Sequence, residues 1–201
     1  MFAIIQAAGW PIWPLLLASI IAVALIIERA ASLRRSKIVP AGLLEKAISD
    51  YRQRGVTGEM LAELGNAAPL GRVLAAGLRN AKNSREVMKE AIEEAGRAVS
   101  HELDRFLTSL GTIASISPLM GLFGTVVGMI EIFGSQSPTG SDPQQLAHGI
   151  SVALYNTGFG LLIAIPSMIF YRHFRALADS LVVDMEQQAI KLVEMVHGQR
   201  V

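Results

Sequence analysis

The sequence predicts an all-α integral membrane protein with three transmembrane helices. Three runs contain no Asp, Glu, Lys or Arg: residues 1–27, 106–130 and 143–171. Each run exceeds the roughly 20 apolar residues that a membrane-spanning helix needs. The 201 residues are 51% hydrophobic and only 17% charged, with a mean hydropathy of +0.41, which is too apolar for a soluble domain of this size. We expect the spanning helices near residues 12–31, 108–133 and 147–170.

The first element, residues 1–31, is predicted to be an N-terminal segment and a transmembrane helix that is retained. A signal peptide carries its positive charge before its apolar core. Here residues 1–27 hold no Lys or Arg, and the basic residues begin at Arg29. Trp10 and Trp13 stand where interfacial aromatic side chains would anchor the outer end of this helix.

The second element, residues 32–105, is predicted to be a helical cytoplasmic region. Residues 29–105 hold fourteen of the 18 Lys and Arg, and residues 172–200 hold the other four. The positive-inside rule places both stretches in the cytoplasm and the N-terminus in the periplasm. Pro69 is expected to open a short helix, and Asn83 with Glu86 resembles a capping box. No turn cluster follows before Phe133, which predicts one helix of about 50 residues.

The remaining elements are a transmembrane hairpin and a C-terminal helix. Transmembrane helices 106–133 and 147–170 are expected to be antiparallel, because the periplasmic loop 134–146 is short and rich in turn residues. Apolar residues then continue at steps of three and four, which predicts an amphipathic cytoplasmic helix in residues 171–201. These are Phe174, Ala178, Leu181, Met185, Ala189, Leu192 and Val196. Helices two and three would therefore extend into the cytoplasm.

Composition argues against several functional classes. The net charge of +1 provides no basic field for nucleic acid. The chain has no cysteine, which excludes disulfides and thiolate metal sites, and its four histidines form no cluster with metal-ligand spacing. We expect no cofactor, no metal and no enzymatic activity.

Small and polar residues within the hairpin are the candidate functional residues. Asn156 and Thr157 lie near the middle of an uncharged run, where polar groups face another helix or a polar path. The packing candidates are Gly121, Gly124, Gly128, Ala153, Gly160, Ala164 and Pro166. Close helix packing alone would explain the glycines, and it remains an alternative for Thr125 and Thr157. The uncharged runs 106–130 and 143–171 hold no carboxylate, so any proton-binding group would have to come from elsewhere.

Two motifs carry a family resemblance. SPLMGLFGTVVGMI in the second helix and ISVALYNTGFGLLIAIPSMIFY in the third resemble the MotA/TolQ/ExbB proton-channel family. The outer N-terminus, the large loop after the first helix and the chain length are most similar to the ExbB/TolQ branch. The flagellar stator branch typically has four spans and a larger cytoplasmic domain. The sequence predicts neither feature, so it resembles that branch less.

The resemblance implies a proton-conducting subunit of an inner-membrane motor complex. Family members form a homopentameric ring around the helices of a small ExbD/TolR-like partner, whose membrane-embedded aspartate is protonated and released in turn. The work reaches TonB- or TolA-like proteins, which drive transport or maintain the envelope. By resemblance, Thr125 and Thr157 line the ion path, with Asn156 beside them. The transported ion would be the proton.

One position departs from the family pattern. Many ExbB and TolQ proteins have a glutamate five residues before the threonine of the third helix, where this chain has Val152. Either this subgroup conducts without the glutamate, or Ser151, Tyr155 and Asn156 provide polarity instead. Two other classes stay open: a structural membrane scaffold without ion flux, and a membrane enzyme or solute transporter subunit.

Overall fold

The computed structural model describes residues 9–134 and 143–198, and all regular structure in these ranges is helical. The helices are α1 (Ile12–Ser32), α2 (Arg35–Ile38), α3 (Leu43–Arg54), α4 (Gly58–Ala67), α5 (Pro69–Arg79), α6 (Arg85–Leu103), α7 (Leu107–Gly134) and α8 (Pro143–His197). The predicted loop 134–146 lies largely outside the described residues.

The chain divides into two compact units. The membrane unit contains the chain up to Glu28 together with Phe106–His173. The charged unit contains Arg29–Arg105 and the chain from Phe174 onward. Three helical stretches have the length and hydropathy of a membrane span: Ile12–Ser32, the apolar part of Arg85–Gly134, and the apolar part of Gly149–His197. Among the described residues, the predicted all-α fold with three candidate membrane-spanning helices is therefore confirmed.

The charged unit is built around α5. Pro69 occupies the first turn of this helix, as predicted, where its missing N–H costs nothing. Leu70, Val73, Leu74 and Leu78 are all buried. The predicted apolar face of the C-terminal part of α8 is also buried from Phe174 to Leu192, whereas Val196 is only half-buried. The amphipathic prediction for the C-terminal part of α8 is thus confirmed, apart from the last residue.

The start of α6 differs from the prediction by one residue. Ser84, not Asn83, is the N-cap, and its hydroxyl accepts a hydrogen bond from the Val87 N–H at 3.4 Å. The Asn83 carboxamide instead donates to the Asn80 side chain at 2.9 Å. The capping box was therefore wrong, because two adjacent residues can both cap and the sequence does not say which one does.

The single helix predicted from Glu86 to Phe133 is also wrong. A turn at residues 104–106 separates α6 from α7, and Phe106 has a φ of 66°. This left-handed conformation costs a non-glycine residue about 1–3 kcal/mol. The end of α6 has specific partners: Arg29 donates to the Leu103 carbonyl at 3.2 Å, and Arg175 pairs with Asp104 at 2.9 Å. These long-range contacts leave no local signal in the sequence.

The third spanning helix is continuous with the predicted C-terminal helix. Helix α8 runs without a break from Pro143 to His197, 55 residues, through the expected boundary near Tyr171. No Gly or Pro stands between Pro166 and Gly198 to end it. The predicted spanning helix 147–170 and C-terminal helix are therefore parts of a single helix.

Candidate functional site

Helices α7 and α8 meet along a seam with the spacing of a coiled coil. The buried residues of α7 are separated by alternating steps of three and four until the last: Leu107, Leu110, Ala114, Ser117, Gly121, Gly124, Gly128 and Ile132. The buried residues of α8 within the membrane unit are Ala153, Asn156, Gly160, Ile163, Ala164 and Ser167. A repeat near 3.5 residues keeps one face of each helix toward the other.

Glycines bring the two helices into close contact at the centre of this seam. A Cβ atom built on Gly160 would lie 2.5 Å from the Ser117 carbonyl oxygen. One built on Gly121 would lie 2.7 Å from the Asn156 carbonyl oxygen and 2.9 Å from the Thr157 Cα. Residue numbers in the contacting pairs rise along α7 as they fall along α8, so the predicted antiparallel hairpin is confirmed. At this level the backbones touch, which only glycine permits.

Asn156 is the most enclosed polar side chain of the seam, with 0% of its surface exposed. A Cβ built on Gly124 would lie 2.5 Å from the Asn156 Cβ, 2.7 Å from its Cγ and 3.0 Å from its Nδ2. The carboxamide therefore occupies the space that the missing side chain of Gly124 leaves open. Asn156 packs between α7 and α8 rather than on an outer face of the hairpin.

Thr157 follows Asn156 and differs from the other hydroxyl residues nearby. Its Oγ1 is buried and has no hydrogen-bond partner among the described residues. Ser117 and Ser167 are also buried, but their hydroxyls donate to the carbonyls of Ile113 and Ile163, each at 2.7 Å. A buried hydroxyl without a partner costs about 1–3 kcal/mol. Thr157 can therefore hydrogen-bond a group brought by water or by another chain.

Thr125 lies one helical turn beyond Gly121 on α7, on the same side of that helix. Its hydroxyl donates to the Leu122 carbonyl at 2.6 Å, and the side chain is half-buried. Thr125 also opens onto a shallow apolar depression with Val126, Met129 and Phe133. The Oγ1 lone pairs remain able to accept a hydrogen bond from outside the chain.

The other packing candidates differ in how far they are buried. Gly128 packs on Ala153, since a Cβ on Gly128 would lie 3.3 Å from the Ala153 Cβ. Ala164 is buried, whereas Pro166 lies inside α8 with its side chain exposed. The side chain of Val152, where the family pattern has glutamate, lies outside the described part of the chain.

Two polar positions of the seam were not found from the sequence. Ser117 and Ser167 are 2% and 1% exposed, although neither was a candidate. Their signal was available, because Ser117 lies three and seven residues after Ala114 and Leu110 and so continues the seam. Reading α7 for a repeat of seven, rather than for glycine clusters, would have found it.

The seam offers hydroxyls and an amide but no acid. Glu131, the one carboxylate residue of α7, is exposed near the end of the helix. No group of three His, Cys, Asp or Glu side chains that could hold a metal occurs among the described residues. The hairpin can therefore hydrogen-bond a protonatable group, but it supplies none within its buried face.

Comparison with known proteins identifies the family to which this chain belongs. Residues 65–187 match the family model described as the MotA/TolQ/ExbB proton channel family. The chain is 34% identical over 188 residues to the biopolymer transport protein exbB1 of Vibrio cholerae, covering 90% of this chain and 82% of that protein. An ExbB-like biopolymer transport protein of Synechocystis is 33% identical over 175 residues, covering 86% and 83%. The Tol-Pal system protein TolQ of Pseudomonas aeruginosa is 30% identical over 188 residues, covering 84% and 78%. This chain is thus a multi-pass inner-membrane protein that belongs to the MotA/TolQ/ExbB proton channel family, in its ExbB/TolQ branch.

Proposed function

We propose that this chain is the proton-conducting subunit of an inner-membrane energy-transducing complex. It would couple the proton motive force to TonB-dependent transport or to a related process of the cell envelope. Membership of the ExbB/TolQ branch supports the class of complex. The observation that carries the ion path is the buried Thr157 hydroxyl, which has no hydrogen-bond partner among the described residues.

The path itself is proposed to run past Thr157 and Thr125, with Asn156 beside them. A hydroxyl can both donate and accept a hydrogen bond, so it can solvate a proton carrier in either protonation state. The uncharged runs 106–130 and 143–171 contain no carboxylate of their own. The titrating group would therefore be a membrane-embedded aspartate of a single-span ExbD/TolR-like partner, and the transported ion would be the proton.

The assembly follows from the same proposal. Several copies of this chain, five by resemblance to the family, would surround the partner's helices in the lipid bilayer. A TonB- or TolA-like protein would carry the work outward. The distribution of Lys and Arg, all within residues 29–105 and 172–200, favours a periplasmic N-terminus and a cytoplasmic C-terminus.

A second candidate function is a structural scaffold without ion flux, or a TolQ-type component that maintains the envelope. The tight glycine contacts of the α7–α8 seam favour it, because such packing would serve a rigid scaffold equally well. It gives no reason for the buried hydroxyl of Thr157, and we rank it second.

Thr157→Val tests the proposal, since valine keeps the shape of threonine and removes the hydroxyl. We expect loss of proton-motive-force-dependent output with normal assembly, and recovery in Thr157→Ser. The matched control is Thr112→Val, which removes an exposed hydroxyl of α7 that donates to the Thr108 carbonyl at 2.9 Å. Full output from an assembled Thr157→Val complex would reject the ion path and leave the scaffold.

A further inference from the structure

We propose that Asn156 is a positioning residue: its side chain is a wedge that sets the register of α8 against α7 and so holds the Thr157 hydroxyl in place. This inference rests on the proposed function of Thr157. It gives Asn156 a role through packing, whereas the sequence had suggested a direct role in the ion path.

The wedge is visible in how the two helices share space around Asn156. Its carboxamide lies where a side chain on Gly124 would be, and its backbone carbonyl lies against Gly121. Sliding or rotating α8 would drive the carboxamide into the α7 backbone on one side and open a void on the other. Interiors packed in this way have discrete arrangements rather than continuous ones. Asn156 therefore fixes one register.

The same contacts separate Asn156 from direct contact with an ion. Asn156 is 0% exposed and enclosed by its own hairpin, whereas Thr157 as a residue is only half-buried. A carboxamide does not titrate in the physiological range, so it cannot carry the proton. Thr157 is the next residue on α8, and its Cα lies against the Gly121 position. A change of register at residue 156 would thus be transmitted directly to the hydroxyl of residue 157.

A disulfide can report this register, because the chain has no native cysteine. The Cβ of a residue at 128 would lie 3.3 Å from the Ala153 Cβ, close to the roughly 3.5–4.5 Å found in disulfides. The reporter is the Gly128→Cys, Ala153→Cys pair in the full chain, with linked peptides quantified by mass spectrometry after mild oxidation. The negative control is Val126→Cys with Leu154→Cys, whose native side chains are 50% and 64% exposed on outer faces.

The test combines this reporter with substitutions on the two sides of the wedge. Gly124→Ala places a methyl group against the Asn156 side chain, so disulfide yield and proton flux should both fall. Asn156→Gly removes the wedge and should lower both as well. The double variant Gly124→Ala, Asn156→Gly removes the clash between the new methyl group and the Asn156 side chain. Its disulfide yield and its proton flux should therefore both be roughly tenfold higher than those of Gly124→Ala, which is the scale of coupling between residues in contact. The pH midpoint of the flux should be the same in every variant.

Gly121→Ala provides the matched control. Its added methyl group would meet the backbone of residues 156 and 157, which Asn156→Gly leaves unchanged. The combination of Gly121→Ala with Asn156→Gly should therefore stay as impaired as Gly121→Ala alone. Rescue of this pair as well would mean that the effect is general loosening of the hairpin, and it would overturn the wedge.

Two further results would overturn the proposal. The double variant could regain the disulfide yield but not the proton flux, or the pH midpoint of the flux could shift. Either result would show that the Asn156 amide acts on the ion path directly. An unchanged disulfide yield in Gly124→Ala would show that the Asn156 side chain does not occupy the space beside Gly124. Failure of the proposed function gives a different pattern: the disulfide yields follow the prediction, while Thr157→Val conducts normally.

Discussion

Alanine substitutions at Gly160 and Gly158 give a matched comparison of the seam, because the two glycines lie two residues apart on α8. A Cβ on Gly160 would lie 2.5 Å from the Ser117 carbonyl oxygen, and Cβ atoms essentially never approach closer than 3.0 Å. The backbones of α7 and α8 would have to separate by at least 0.5 Å at their closest point. Overpacking of this kind costs about 1–3 kcal/mol. A Cβ on Gly158 meets nothing within 4 Å.

Both substitutions gain helix propensity, about 1 kcal/mol relative to glycine, so the contact alone should separate the two variants. Gly160→Ala should therefore be less stable than Gly158→Ala by about 1–3 kcal/mol. Denaturant unfolding of the chain in detergent, followed by far-UV circular dichroism, measures this difference. Equal stabilities, or a more stable Gly160→Ala, would refute the close approach of the two backbones.

Three further predictions concern the charged unit. Arg29→Met should lower the free energy of unfolding by about 1.5–3 kcal/mol, because it removes a buried charged donor from the Leu103 carbonyl, and no loss in the same unfolding assay would contradict this. Ser84→Ala should cost about 1 kcal/mol while Asn83→Ala costs much less, and the reverse order would restore Asn83 as the cap. Lys46 lies 2.6 Å from Glu63, and their hydrogen bond, with the lysine charge, lowers the Glu63 pKa below 4.5. The stabilisation from this ion pair is thus present above pH 4.5 and is lost as the pH falls through the lowered Glu63 pKa. Lys46→Met removes the cause, so it should raise the Glu63 pKa measured by carbon-detected NMR.

The sequence was sufficient wherever the deciding interaction is local or periodic. Uncharged runs located the three spans, and steps of three and four located the buried face of the C-terminal part of α8. Pro69 marked the start of α5, because its fixed φ and missing N–H suit the first helical turn. Each of these depends on residues within a few positions of one another.

The sequence was insufficient where a distant partner decides. The break at Phe106 has no Gly or Pro, and the contacts at the end of α6 come from Arg29 and Arg175, 74 and 71 residues away from Leu103 and Asp104. The site shows the same limit. Glycine spacing in the sequence predicted a closely packed hairpin. It did not show that the Asn156 side chain fills the space beside Gly124, or that the Thr157 hydroxyl has no partner among the described residues, because both depend on how the two helices pair.

Proton flux into vesicles, measured with and without the partner, tests the central claim most directly. The purified chain and its complex with a co-purified single-span protein would be reconstituted in vesicles that contain a pH-sensitive dye. Because the spanning runs of this chain hold no carboxylate, the chain alone should give no flux above empty vesicles. The complex should conduct under an imposed potential, and it should stop when the partner's membrane aspartate is changed to asparagine. Equal flux from the chain alone would contradict the account.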